Sequence, residues 1–155
     1  MRDGAGSIEA RRAAGAGPGL QVLLVHPGGP VWARRDLGAW SIPKGEYGPN
    51  DDPLQAARRE FEEELGAQPP QGEADDLGEI RQKSGKRVHA FALEGDLDAG
   101  SIHSNTLQLE WPPRSGRLIE IPEVDRAEWF DLDTAREKLN PAQAELVDRL
   151  AERVR

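Results

Sequence analysis

The sequence of 155 residues contains no cysteine, and aromatic side chains make up only 5% of it. Without cysteine the protein has no disulfide, no thiol nucleophile and no thiolate metal site. The absence does not decide the compartment, although it fits a cytoplasmic protein. The longest apolar run near the N-terminus is Val22 to Val25, which is too short for a signal-peptide core or a membrane span. We therefore expect a cytoplasmic protein with no membrane partner.

Positive charge is also scarce. The 20 Lys and Arg residues face 28 Asp and Glu residues, and the formal net charge is −8. This balance argues against a partner such as a nucleic-acid duplex, which is held through its phosphates by clustered cations. An anionic ligand would need a local source of positive charge, such as a bound metal ion, within this negatively charged protein. The length and the 37% hydrophobic fraction suit one domain with a modest core.

The chain divides into a short first segment and one larger domain. Residues 1–19 are rich in Gly and Ala, so we expect them to bury little apolar area and to be partly ordered, with a possible strand over residues 8–12. The domain is predicted over residues 20–155. Its predicted strands lie at residues 20–25, 31–34, 39–42, 80–83, 86–93, 107–111 and 127–130, with later helices over residues 134–139 and after Pro141. This order predicts an α/β or α+β fold with a mixed sheet covered on both faces.

The clearest boundary signals enclose a helix at mid-chain. Asp52 followed by Pro53 is typical of a helix start, and Gly66 is typical of a helix end. At about 100° per residue, Ala57, Phe61 and Leu65 form one apolar stripe together with the residue at position 54. We therefore expect a helix over residues 53–65 with that stripe on the core.

Four glutamates crowd the end of this helix. Glu60, Glu63 and Glu64 share one face beside the apolar stripe, whereas Glu62 lies on the other side of it. No cation follows any of them at the fourth position, where Lys or Arg usually relieves repulsion. Two interpretations stand: a solvated acidic surface, or a site for Mg²⁺ or Mn²⁺, which prefer carboxylate oxygens.

The spacing around these glutamates is specific. From Gly45 there are five residues to Asp51 and seven more to Arg59, where REFEEELGA runs to Ala67. This pattern resembles the Nudix box, the 23-residue signature of Nudix hydrolases, at every fixed position but one: Asp51 stands where the family has Glu.

The resemblance implies an α/β/α sandwich that cleaves a pyrophosphate linkage in a nucleoside diphosphate joined to another group, with Mg²⁺ or Mn²⁺ as cofactor. It implies that Glu60, Glu63 and Glu64 bind metal, with Glu60 a candidate general base. A backbone carbonyl at Lys44 or Gly45 is a further implied metal ligand. The chemistry agrees, because ions held by carboxylates neutralise the charge that accumulates on an attacked pyrophosphate.

Other roles follow from the same resemblance. The family often takes a further carboxylate from a loop before the last strand, where our candidate is Glu123, with Glu120 second and a solvated loop acid as the alternative. Arg59 corresponds to the arginine that pairs with the box acids and holds them. Asp51 is one methylene shorter than Glu, so its contact with the helix is expected to be lost or water-mediated.

The expected substrate is a small nucleotide. Residues 40–45, WSIPKG, resemble the corresponding segment of diadenosine tetraphosphate hydrolases within the family, which suggests a nucleotide with several phosphates. Trp40, Lys44 and Tyr47 are the candidate substrate-binding residues, with Lys44 on a phosphate and Tyr47 stacked on a base. A nucleotide-binding sensor with little or no hydrolytic activity is the alternative, and we expect a monomer or a homodimer.

Overall fold

The computed structural model describes residues 3–12 and 19–154. Its strands are β1 (Gly4–Arg12), β2 (Leu20–Pro27), β3 (Lys44–Glu46), β4 (Asp75–Arg81), β5 (Arg87–Glu94), β6 (Thr106–Glu110), β7 (Leu118–Pro122) and β8 (Val124–Asp131). Its α-helices are α1 (Pro53–Leu65), α2 (Leu132–Lys138) and α3 (Glu145–Arg153), with short 3₁₀ helices at Ala99–Ser101 and Pro141–Gln143. None of the helices in these described ranges is long and apolar enough to cross a membrane.

The main sheet has the strand order β4-β5-β1-β2-β8, and β3 pairs with β1. β1 and β5 run parallel, whereas β1 pairs with β2, β2 with β8, and β4 with β5 in antiparallel fashion. The sheet is therefore mixed, as predicted. β6 and β7 form a separate antiparallel hairpin.

Both faces of the main sheet are covered. Alternate side chains of a strand point to opposite faces, and in β2 Val22 and Leu24 belong to the cluster that includes residues of α2 and α3. Leu23, between them, packs in a second cluster with Phe61 and Leu65 of α1. The predicted α/β/α sandwich is confirmed: α1 covers one face, and α2 and α3 cover the other.

The prediction that the first segment buries little apolar area is wrong for the described part of it. β1 begins at Gly4, four residues before the predicted strand, and lies between β5 and β2 with Ala5 and Ile8 fully buried. Its small residues are the reason. A side chain at Gly6 would lie 2.6 Å from the carbonyl oxygen of Pro43, so glycine permits this close crossing. Residues 13–18 lie outside the described part.

Several short elements differ from their prediction. Residues 31–34 form turns and not a return strand, and the predicted strand at 39–42 is reduced to isolated bridges at Trp40 and Ser41. β3 and β7 were not predicted. Segments this short are decided by tertiary pairing more than by their own residues. The mid-chain helix matches its predicted bounds, with Asp52 accepting the N–H of Gln55 and Gly66 in the left-handed region at φ 68°.

Candidate active site

The acidic end of α1 packs against the strand that precedes it. The carboxyl of Glu60 lies so close to Gly45 that a β-carbon there would collide with it. Glu64 is 8% exposed, and its Oε2 accepts the backbone N–H of Lys44 at 3.2 Å. Gly45 and Lys44 belong to β3, so this short strand positions two of the three predicted metal ligands.

Glu64 is a buried acid in a negative environment. Burial raises its pKa to about 8, and the nearby charge of Glu123 adds to this effect. The hydrogen bond from Lys44 N–H opposes the shift without cancelling it. A group held in this way binds a proton or a cation readily at neutral pH.

Glu60 responds to the same neighbours. Burial raises its pKa to about 7, followed by the charge of Glu63, while the positive charge of Arg59 lowers it. Glu123 contributes to raising it as well. Glu63 and Glu62 are both exposed. The charge of Glu63 is the largest electrostatic cause of the raised pKa of Glu60 after burial.

Glu123 reaches this cluster through backbone hydrogen bonds. Its N–H donates to the carbonyl of Asn105 at 2.9 Å, and the N–H of Asn105 donates to the carbonyl of Glu63 at 2.9 Å. Its own carbonyl accepts the N–H of Gly28 at 3.1 Å. Residue 105 thus ties Glu123 to the end of α1. Glu120, the second candidate, is exposed on β7 and paired with Gln108.

A cavity of roughly 290 Å³ opens beside Glu64 and Glu123. Lys44 and Gln82 also line it, and part of its wall is Gln143, a fully buried side chain. Gln143 accepts the N–H of Ile42 at 3.0 Å and donates to the hydroxyl of Ser41 at 3.1 Å. Glu64 and Glu123 therefore border a space of ligand size, whereas Glu60 and Glu63 do not line it.

The donors fit a hard divalent cation in kind, since they are carboxylates, and a cation would offset the nearby negative charge that helps raise the pKa of Glu64. In their present conformation, no three Asp, Glu or His side chains of the described residues are close enough to hold an ion. Glu60, Glu63 and Glu64, with Glu123, remain the candidates to hold such an ion.

The sequence model of a protein family, the NUDIX domain, matches residues 3–150 of this chain. The chain belongs to this family. The predicted membership of the Nudix family is thereby confirmed.

Among individual proteins similar to this NUDIX domain, an octanoyltransferase of Myxococcus xanthus is 32% identical over 126 residues. The match covers 81% of this chain and 30% of that protein. The chain thus spans less than a third of the length of that relative, and a name given to the whole relative assigns no activity to the matching part.

Solved structures agree on the fold. The NUDIX domain of Shewanella oneidensis NrtR, in complex with ADP ribose, has a TM-score of 0.67 at 16% identity, over 100% of this chain and 89% of that one. A C. elegans Ap4A hydrolase binary complex has a TM-score of 0.64 at 18% identity, over 98% of both chains. At these identities the likeness establishes the fold.

At one box position of this NUDIX domain, Arg59, the contact differs from the prediction, whereas Asp51 bonds within its own loop. The Arg59 guanidinium donates to the carbonyl of Glu46 at 3.2 Å, and no ion pair joins it to a box acid within the described residues. It acts on Glu60 through its charge. Asp51 accepts the N–H of Gly48 at 2.8 Å, so it closes the loop before α1.

Only some of the predicted substrate-binding residues line the cavity. Lys44 lines it, and burial lowers its pKa while Glu64 opposes that effect. Trp40 contributes to the wall, but it is a core residue, 1% exposed, whose indole N–H donates to Asp36 at 2.8 Å. Tyr47 packs in another cluster, with Ala56, and does not line the cavity.

Sequence reasoning missed Trp32 and Asn105. Trp32 lines the cavity and is half-buried, yet its segment was predicted as a strand. The only signal was a large aromatic residue directly after the turn at 26–30. Asn105 acts through its backbone, so its side-chain type carried no signal.

Proposed function

We propose that this NUDIX domain hydrolyses a pyrophosphate bond in a nucleoside diphosphate linked to another group, with Mg²⁺ or Mn²⁺. The substrates we place first are dinucleoside polyphosphates of the diadenosine tetraphosphate type and nucleoside triphosphates. One observation carries the proposal: the carboxyl of Glu64 is buried beside an open cavity, where the charges of Glu123 and Glu60 add to the effect of burial in raising its pKa. Acids in this arrangement are unfavourable unless a cation joins them.

The chain's own groups have separate tasks. Glu60, with a pKa of about 7, accepts the proton of the attacking water. The water oxygen bonds to one phosphorus while the bridging oxygen leaves with the other phosphoryl group, so both products carry a phosphate. A bound divalent ion supplies neutralisation of the developing charge and a more acidic water.

Lys44 places its cationic side chain at the cavity, near Glu64 and Glu123. A phosphate that enters meets this positive charge, which helps offset the negative charge of the chain. In the same strand, the backbone of Lys44 or Gly45 offers the carbonyl that the family pattern implies as a metal ligand. Catalysis of this kind depends mainly on positioning and electrostatics.

The second candidate is a nucleotide sensor without hydrolysis. It is favoured by the separation of the carboxyls in the described residues, where no three acids are within reach of one ion. A sensor is stabilised thermally by its nucleotide but releases no product over hours. Restoring Glu at position 51 tests whether that one departure from the family pattern limits activity.

The deciding experiment is a screen of pyrophosphate-containing nucleotides with Mg²⁺ and Mn²⁺, in which products are identified by mass in ¹⁸O-labelled water. We expect one labelled phosphate per cleavage, and about 10³-fold less product, or still less, from Glu64→Gln. Glu62→Gln is the matched control, since it changes the same residue type on the same helix outside the cluster. Equal turnover in both variants would refute the proposal.

A further inference from the structure

A second, mostly apolar cavity of roughly 230 Å³ adjoins the acid cluster. Three of its lining residues, Pro27, Trp32 and Glu123, also line the first cavity. The two spaces therefore meet at Glu123. The remaining lining residues are Gly28, Val31, Leu107, Leu109 and Ile121.

The walls of this second cavity are fixed by backbone contacts. The hairpin holds Leu107 opposite Ile121, and Gly28 donates its N–H to the carbonyl of Glu123 at 3.1 Å. A β-carbon on Gly28 would collide with the carbonyl of Pro122, so the end of β2 fits closely against the hairpin. Backbone contacts of the fold therefore hold the walls of this cavity in place.

Trp32 is the aromatic residue at the junction. Its turn is closed by two hydrogen bonds, from Trp32 N–H to the carbonyl of Gly29 at 3.3 Å and from Arg35 N–H to the carbonyl of Trp32 at 2.9 Å. The Arg35 guanidinium lies 5.4 Å from the centre of the indole ring. In the part of the chain that the structure describes, the indole N–H has no hydrogen-bond partner, so it is free to donate to a ligand.

A ligand that spans both cavities must be charged at one end and apolar at the other. Its phosphates would lie among Lys44 and the acid cluster, and its other end would lie beyond Glu123 against Trp32, Leu107 and Ile121. A nucleobase meets both demands, because its faces are apolar and stack on aromatic rings while its edge carries hydrogen-bond acceptors.

We propose that the apolar cavity between the β6–β7 hairpin and the turn after β2 is the nucleobase subsite, with Trp32 as its stacking residue. This rests on the proposed function for the position of the phosphates. It assigns base recognition to Trp32, in place of Tyr47 and Trp40.

The test measures binding of ligands that contain no pyrophosphate bond. Calorimetry compares the four common nucleoside 5′-monophosphates with ribose 5-phosphate, which has the same phosphate and sugar without a base. We expect wild type to bind its preferred nucleotide at least tenfold more tightly than ribose 5-phosphate, the scale of one base–aromatic stack.

Three variants locate the effect. Trp32→Ala should lose about tenfold in affinity for the nucleotide and leave ribose 5-phosphate binding unchanged, while Trp32→Phe should retain most of the affinity. Trp111→Phe, at the far end of the hairpin and outside both cavities, is the matched control and should bind like wild type.

The proposal is overturned if wild type does not distinguish the nucleotides from ribose 5-phosphate, or if Trp32→Ala weakens both ligands alike or neither. Its failure is separable from that of the proposed function. A chain that binds nucleotides more tightly than ribose 5-phosphate but cleaves nothing upholds the subsite and refutes the hydrolase. A chain that cleaves pyrophosphates but binds nucleotides and ribose 5-phosphate alike upholds the hydrolase and refutes the subsite.

Discussion

The acidic side chains of two helices of this NUDIX domain, α1 and α3, have opposite neighbours. On α3, Asp148 accepts from Arg136 at 2.7 Å, and Glu145 pairs with Arg149 one turn later. On α1, Glu60 and Glu64 face other carboxylates, and burial with like charge raises their pKa. Acids that are paired with basic residues form ordinary surface ion pairs. Acids that are held close to other acids favour the binding of a cation.

The largest expected effect is on catalysis. Glu64→Gln keeps the size and the hydrogen-bonding ability of the side chain but removes its charge from the cavity. We expect kcat to fall by about 10³-fold or more, the scale of losing one electrostatic contact to the transition state. Steady-state kinetics of Glu62→Gln and of Asp148→Asn on α3 should match wild type, and a similar loss in either would remove the distinction between the helices.

Gly45→Ala tests the positioning of Glu60 without changing any charge. The added methyl collides with the end of a flexible side chain, so the carboxyl should move while the fold survives. We expect kcat to fall at least tenfold with little change in Tm. Gly72→Ala, where a β-carbon meets nothing within 4 Å, is the control. Full activity in Gly45→Ala would show that the placement of Glu60 is unimportant.

The stability of the metal-free protein should depend on pH through Glu64. Its pKa is about 8 in the folded protein and near 4.5 when unfolded, so ionisation costs folding free energy. The contribution is present below pH 4.5 and is lost as pH rises through 8. A shift of this size corresponds to at most about 5 kcal/mol, and we expect about 2 kcal/mol after local rearrangement.

Urea unfolding of wild type and Glu64→Gln in EDTA, at several pH values, measures this pH-dependent contribution to the free energy of unfolding. The Gln variant cannot ionise, so it should be the more stable of the two at pH 9, with the gap closing towards pH 5. A variant less stable than wild type at pH 9 would mean that the Glu64 carboxylate is satisfied by the protein alone.

The smallest effect belongs to α3. Asp148→Asn removes a largely exposed ion pair, and such pairs contribute less than about 1 kcal/mol. We expect a slight loss of stability that diminishes at high salt, opposite in sign to Glu64→Gln at pH 9. Thermal unfolding of wild type and Asp148→Asn at low and high ionic strength measures this loss. A gain in the stability of Asp148→Asn would contradict the assigned ion pair with Arg136.

The sequence predicted the bounds of α1 well because the signals are local. Asp52, Pro53 and Gly66 fix the ends of the helix, and the periodicity alone separates Glu62 from Glu60 and Glu64. Glu123 was a candidate from family resemblance; it lines the cavity with Glu64, and its role stays a prediction.

The rest depends on contacts that are distant in sequence. β1 has too little apolar character to be recognised as buried until β5, β2 and β3 surround it. Trp40 and Tyr47 looked like ligand residues because aromatic side chains serve both cores and bases, and only packing separates these uses. The link from residue 105 to Glu123 uses backbone atoms that every residue possesses.

Binding of Mn²⁺, followed by the electron paramagnetic resonance signal of the free ion, tests most directly whether the unpaired acids of α1 form a cation site. We predict saturable binding to wild type and Glu62→Gln, and binding at least tenfold weaker to Glu64→Gln. Equal affinity in Glu64→Gln and wild type, or no saturable binding to wild type, would contradict it.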